Sequence, residues 1–152
     1  MLLVFFGDHR PSLPTAYEQT IYQKLGLCDN SVDYYWTPEQ RAVLFSTDYL
    51  AWSNRGALDT ALFGEDVLSG DMLIGSDILD WAGVRQTLFW QLIGQLGDSV
   101  ASYTENGFVA ADGTPSAEPA AECAGIIGRV EAVMYDAFFG ERYITDALNA
   151  YR

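Results

Sequence analysis

The feature that most constrains this sequence is an uninterrupted apolar run from Leu2 to Phe6, which Gly7 ends. A strand that is apolar at every position has no polar face for water. The run therefore predicts a strand buried on both faces, as in the centre of a parallel sheet covered by helices. Because the first residues of a domain are usually poorly tied down, we expect further polypeptide upstream of Met1 to belong to the same sheet.

Two polar residues, Asp8 and His9, follow this strand directly. In open α/β sheets, ligands bind at the carboxyl ends of the strands. A carboxylate and a neutral imidazole suit Mn²⁺, Zn²⁺ or Mg²⁺ in a site that handles phosphate. A metal site needs three or four ligands, so the pair also has a plainer interpretation, in which Asp8 caps a turn and His9 is solvated. The residues alone leave both interpretations open.

Local signals place the other elements along the chain. Thr37 followed by Pro38 predicts a helix that begins there and runs to about Phe45. Asn106-Gly107 predicts the turn of a β-hairpin. The remaining expected elements are a helix over 16–25, a strand over 48–53, two short helices after residue 76 and a long helix over 116–139. Trp52, Trp81 and Trp90 are expected to pack in the core rather than to form a substrate platform.

The net charge of the chain limits the kinds of molecule that it could bind. The chain has 21 acidic and 8 basic residues among 152, a net charge of −13, and 49% of its residues are hydrophobic. That apolar content predicts a folded domain. The acidic balance argues against nucleic acid or an anionic membrane surface as the main partner. Two explanations of the charge stay open: a soluble exterior, or a face that attracts cations or mimics phosphate.

Other sequence signals concern the setting of the chain. No run approaches the ~18 to 20 apolar residues of a membrane span, and the initial apolar run is too short for a signal peptide. We therefore expect neither a signal nor a membrane segment in this chain. Cys28 and Cys123 match no zinc spacing. They could pair, but we expect two free buried thiols.

Four segments resemble motifs of one enzyme family. The opening L-V-F-F-G-D-H-R-P-S-L of residues 3–13 is similar to the "V-V-F-x-G-D-H-x-P-S-L" segment of the lipoteichoic acid synthase-like (phosphoglycerol transferase) branch of the alkaline phosphatase–sulfatase superfamily. Residues 49–54, 76–83 and 135–144 resemble its "W-S-N" strand, its "S-x-x-L-x-x-W/L-x-G" helix and its closing "Y-D-x-x-F-G-x-R-Y" motif, respectively.

The resemblance implies a fold for residues 1–152. They would be the C-terminal part of a sulfatase-like catalytic domain of the α/β class. Residues 1–54 would hold the sheet and the metal-ligand segment, and residues 55–152 would be mostly helical. The expected structure is a remnant of a mainly parallel sheet with packed C-terminal helices.

The resemblance also implies an activity. The family's enzymes are membrane-anchored, act at the extracytoplasmic face of the cell membrane, and bind one divalent metal, commonly Mn²⁺, with Mg²⁺, Zn²⁺ or Ca²⁺ as alternatives. Asp8 and His9 match the family's Asp-His ligand pair, and Arg10 is a candidate substrate-binding residue. The substrate would be a lipid-linked or other envelope phosphodiester or sulfate ester, with phosphoglycerol, phosphoethanolamine and sulfate all open as the transferred group.

One departure from the family limits what this chain is expected to do alone. The family's nucleophilic Thr and its Glu ligand precede the Gly-Asp-His segment, and Thr15, Thr20 and Thr37 lie in contexts unlike that of the nucleophile. We therefore expect no turnover by this polypeptide by itself. Two other classes stay open: a non-catalytic acidic interaction protein, and a remnant that only binds metal.

Overall fold

A computed structural model describes residues 1–11, 19–63 and 67–143, and for residues 61 and 62 only the backbone is described. The strands are β1 Leu2–Phe6, β2 Tyr49–Ser53, β3 Val100–Thr104, β4 Gly107–Ala110 and β5 Pro115–Ser116. The α-helices are α1 Ile21–Lys24, α2 Pro38–Leu44, α3 Thr60–Phe63, α4 Asp71–Trp81, α5 Leu88–Gly97 and α6 Ala124–Phe138. Short 3₁₀ helices span Asp33–Tyr35 and Ala121–Cys123. The expected α/β class is therefore confirmed as a mixed α/β fold.

The strands form two small antiparallel sheets. β1 pairs with β2, and β3, β4 and β5 form the second sheet in sequential order. No strands within the described ranges pair in parallel, so the expected mainly parallel sheet is not seen there. The physical reason lies in the return of the chain: the Thr47 hydroxyl donates to the carbonyl of Gly7 at 2.7 Å. This bond starts β2 beside the end of β1, which makes the pair antiparallel.

The expectation that β1 is buried on both faces is wrong for this structure. Phe5 is 60% exposed and Phe6 is 52% exposed. Leu3 lies opposite Trp52 and Phe5 lies opposite Leu50, so these four side chains share one side of the sheet. We call Leu3, Phe5, Leu50 and Trp52 the apolar face; no described element covers it, and all four are at least 39% exposed. The prediction of a core position is therefore also wrong for Trp52.

The core lies in the second half of the chain, where α4, α5, α6 and the second sheet meet. Ile93 of α5 has no exposed surface and Val130 of α6 has 2%. Trp90 packs against this cluster as expected. The buried members of the core are Leu73, Leu92, Ile93, Leu96, Val100, Phe108, Cys123, Ile126, Ile127, Val130 and Val133. Cys28 and Cys123 are buried and free, which confirms the expected thiols.

The elements predicted from short-range signals are present. α2 begins with a capping box, in which the Thr37 hydroxyl accepts from Gln40 N at 3.3 Å and the Gln40 side chain accepts from Thr37 N at 3.1 Å. β3 and β4 form the hairpin expected around Asn106-Gly107. The long helix is confirmed, although it begins at Ala124, after a 3₁₀ turn. Of the helix expected over 16–25, α1 covers Ile21–Lys24, and residues 16–18 lie outside the described ranges.

Candidate functional site

Asp8 and His9 lie side by side where the chain leaves β1. The His9 backbone N–H donates to Asp8 Oδ1 at 2.9 Å, and Asp8 Oδ2 lies 3.6 Å from His9 Nε2. Their side chains are 87% and 73% exposed, respectively. Oδ1 therefore accepts from the N–H of the next residue, which is not the bond that caps a turn, while Oδ2 lies near the imidazole.

The ring orientation of His9 favours metal binding through Nε2. His9 Nδ1 lies 2.8 Å from the carbonyl oxygen of Arg10. Because a carbonyl oxygen only accepts, Nδ1 carries the proton, and in a neutral imidazole the lone pair is then on Nε2. Metal-binding histidines usually have their second nitrogen held in this way. Two ligand atoms about 2.1 Å from one ion, at the tetrahedral angle, lie about 3.4 Å apart, which is close to the observed separation of Oδ2 and Nε2.

Asp8 and His9 offer two donor atoms for a metal ion. Among the residues that the structure describes, no group of three or more His, Cys, Asp or Glu side chains is arranged to hold a metal ion. The residue chemistry of Asp8 and His9 fits Mn²⁺, Zn²⁺ or Mg²⁺. Two donors are nevertheless fewer than such an ion takes from a protein site.

Asp8 and His9 line a cavity of about 680 Å³, which we call the Asp8–His9 cavity. Its wall includes Arg10 from the same loop, Arg41 from α2 and Asp71 from the start of α4. The turn between β3 and β4 closes part of the far side through Asn106 and Gly107. The structure therefore brings together all three residues that the sequence singled out and adds two charged residues from later in the chain.

Arg10 is anchored to the segment that follows α2. Its Nε donates to the carbonyl oxygen of Ser46 at 2.9 Å, while the residue as a whole stays exposed. This bond holds Arg10 beside the Asp8–His9 pair, and it uses none of the terminal nitrogens of the guanidinium. The role of Arg10 in substrate binding stays a prediction.

Arg41 is the residue at this site that the sequence analysis missed. Its Nε, Nη1 and Nη2 donate to the carbonyl oxygens of Trp36, Asn106 and Asp33 at 3.4, 3.2 and 2.8 Å, respectively. In the described ranges no carboxylate oxygen lies within ion-pair distance of Arg10 or Arg41. The scarcity of basic residues was the available signal, because an arginine in so acidic a chain calls for an explanation.

A second cavity, of about 640 Å³, has the opposite character. Its wall carries four aspartates, Asp77, Asp80, Asp98 and Asp112, and no Lys or Arg. Burial raises the pKa of Asp77, the nearby Asp80 raises it further, and a hydrogen bond from Ser69 opposes the shift. We call this the acidic cavity. Its charge makes it unfavourable for an anionic ligand.

The chain was compared with protein-family models, with curated proteins and with solved structures, and none of them matched. Separately, none of the helices in the described ranges is long and apolar enough to cross a lipid bilayer.

Proposed function

We propose that this chain is one part of a metal-dependent enzyme that transfers or hydrolyses a phosphodiester or sulfate ester, of the phosphoglycerol transferase and sulfatase type that its motifs resemble. The intact enzyme would act at the extracytoplasmic face of the cell membrane. The observation that carries the proposal is the placement of Asp8 Oδ2 and His9 Nε2, 3.6 Å apart, in a cavity that also holds two arginines.

Each residue of the site has a role in this proposal. Asp8 supplies a negatively charged oxygen ligand, and His9 supplies a neutral nitrogen whose tautomer is set by the carbonyl of Arg10. A bound divalent metal, Mn²⁺ in first place, would lower the pKa of an attacking hydroxyl and offset the charge of the transferring group. Arg10 would contact the anionic oxygens of the substrate. The nucleophile and the remaining ligands would come from a further polypeptide segment.

The apolar face supports the need for that further segment. Its four side chains, Leu3, Phe5, Leu50 and Trp52, are between 39% and 65% exposed. Contiguous apolar patches of this kind usually mark a contact surface. β1 carries half of the apolar face and leads directly into Asp8. A segment packed on this face would therefore lie next to the Asp8–His9 pair and could supply the missing ligands.

The first test is a calorimetric titration of Mn²⁺ into the whole chain and into Asp8→Ala and His9→Ala. We expect weak binding by the unmodified chain and a loss of roughly tenfold or more in each variant, since each removes one of two ligands. Asp48→Ala is the matched control, because it removes the same charge from an exposed residue that does not line the cavity. Equal binding by all four proteins would disprove the half-site.

A spectroscopic test identifies the ligand atom. His9 is the only histidine of the chain, so ¹⁵N-histidine labelling gives one imidazole and two nitrogen signals. We expect Zn²⁺ to shift the Nε2 signal strongly and Mn²⁺ to broaden it. Unchanged Nε2 signals at saturating metal would mean that the ion binds elsewhere on the acidic surface.

The acidic cavity favours a second candidate function, binding of a basic partner without catalysis. Its four aspartates face one space without a neighbouring cation in its wall. A lysine-rich peptide titrated into the chain should then bind more weakly as salt increases. Absence of binding at low salt would exclude this candidate.

A further inference from the structure

We infer that Arg41 and Arg10 together form a binding element for a tetrahedral oxyanion, phosphate or sulfate, in the Asp8–His9 cavity. The identity of the natural substrate, an anionic ester, rests on the proposed function. The anion site itself depends only on the two arginines and on the cavity that they share.

The hydrogen bonds of Arg41 leave donors for a ligand. Three of its N–H groups are used, one on each nitrogen, by the carbonyls of Trp36, Asn106 and Asp33. A guanidinium has five N–H groups, so one on Nη1 and one on Nη2 are not used by these bonds. The three carbonyls hold the guanidinium in one orientation, so little further side-chain entropy is lost when an anion binds.

Neither arginine has a carboxylate partner within ion-pair distance among the described residues. Arg41 is half-buried, and the three groups that accept its hydrogen bonds in the described ranges are neutral carbonyl oxygens. Arg10 is likewise held by a carbonyl, that of Ser46, which follows α2 closely in the chain. Asp8 and Asp71 also line this cavity, but among the described residues neither lies within ion-pair distance of Arg10 or Arg41, so both guanidinium groups keep their charge for a ligand. The acidic cavity shows the contrast, since its four aspartates would repel the same anion.

The position beside Asp8 and His9 suits the two arginines to binding the substrate. An anionic ester in the cavity would meet the two guanidinium groups and, in the loaded enzyme, the metal held by the Asp-His pair. Guanidinium groups match the geometry of phosphate and sulfate oxygens and bind them through paired hydrogen bonds. Arg41 would thus position the transferring group, a role distinct from that of the metal ligands.

The test measures binding of inorganic phosphate and, separately, of inorganic sulfate to the whole chain without metal. We expect dissociation constants on the order of millimolar and a roughly tenfold weakening in Arg41→Gln and in Arg10→Gln, because each loses a charge-assisted hydrogen bond. Arg129→Gln is the matched control, since Arg129 is exposed on α6 and does not line the cavity. It should bind as the unmodified chain does. Comparing the two anions shows which one the site prefers.

A structural role for Arg41 predicts a different result. If Arg41 only ties residues 33–36 to the turn between β3 and β4, Arg41→Gln lowers the melting temperature while the folded protein binds phosphate with unchanged affinity, and the inference is overturned. Should that variant not fold, nuclear magnetic resonance of the unmodified chain decides. Phosphate must shift the Arg41 Nε–H signal, assigned by its loss in Arg41→Lys, and an unmoved signal at saturation overturns the inference.

The two proposals fail separately. Suppose that Arg41→Gln loses phosphate affinity while Asp8→Ala binds Mn²⁺ as the unmodified chain does. This result supports the anion site and contradicts the metal half-site. The reverse pattern contradicts the anion site and leaves the half-site standing.

Discussion

Gly75 lies where helices α4 and α5 pack together, and replacing it with alanine tests that contact. A Cβ built on Gly75 lies 2.7 Å from Cη2 and 2.8 Å from Cζ3 of Trp90. Carbon atoms in favourable contact are about 3.5 to 4.0 Å apart. The indole cannot move freely, because its ring packs edge-on against Phe89 with the ring centroids 5.2 Å apart. Gly75→Ala therefore forces either the ring or the helices to shift.

A second helical glycine separates this contact from helix propensity. Alanine is favoured over glycine inside a helix by about 1 kcal/mol, and overpacking a core contact costs about 1 to 3 kcal/mol. Gly128 of α6 has no atom within 4 Å of its built Cβ, so Gly128→Ala should stabilise the chain by about 1 kcal/mol. The difference in unfolding free energy between the two variants then measures the contact, and we expect about 1 to 3 kcal/mol in favour of Gly128→Ala.

Urea unfolding followed by circular dichroism measures both free energies, provided that the slope with denaturant is unchanged. Trp90→Phe removes the two ring carbons that the new methyl would meet. Gly75→Ala should therefore cost less in a Trp90→Phe background, and the two changes should not be additive. Equal stabilisation by Gly75→Ala and Gly128→Ala would refute the packing of α4 on α5 described above.

Three further predictions concern stability. Burial raises the pKa of Asp77, so the folded state holds this proton more tightly, and stability falls as pH rises from about 3.9 through the raised value. Asp77→Asn should therefore raise the melting temperature at pH 7 and lose this advantage below about pH 3. Parallel curves of melting temperature against pH for the two proteins would contradict this. Ile93 is fully buried, so Ile93→Ala should lower the free energy of unfolding by about 3 to 4 kcal/mol. Ile21→Ala should lower the free energy of unfolding much less, because Ile21 is partly exposed. Equal losses of the two variants in urea unfolding would contradict this. Thr37→Ala should lower the free energy of unfolding by about 1 kcal/mol, because it removes the cap of α2. Thr37→Ser should keep most of that free energy, and an unchanged melting temperature of Thr37→Ala would count against the cap.

Signals confined to a few residues predicted the local structure well. The start of α2 followed from Thr37 and Pro38, because a cap and a proline at the first helical position act through neighbouring backbone groups. The hairpin followed from Asn106-Gly107 for the same reason. The apolar run predicted that β1 is a strand, but it predicted the wrong surroundings. The direction of pairing is a long-range property, because residues 7–48 separate the two strands and bring the start of β2 beside the end of β1.

The candidate site divides in the same way. Asp8, His9 and Arg10 are consecutive, so the sequence by itself determined that their side chains lie near one another. It also determined the residue types that make metal and anion binding chemically reasonable. Only the tertiary structure brought Arg41 to the same cavity, where its hydrogen bond to the carbonyl of Asn106 joins α2 to the distant turn between β3 and β4. It also separated this cavity from the one where Asp77 is half-buried among other acids. The physical reason is that caps and turns depend on bonds between near neighbours in the chain. The charge around a site instead depends on which distant segments pack together, and that is decided by the whole fold.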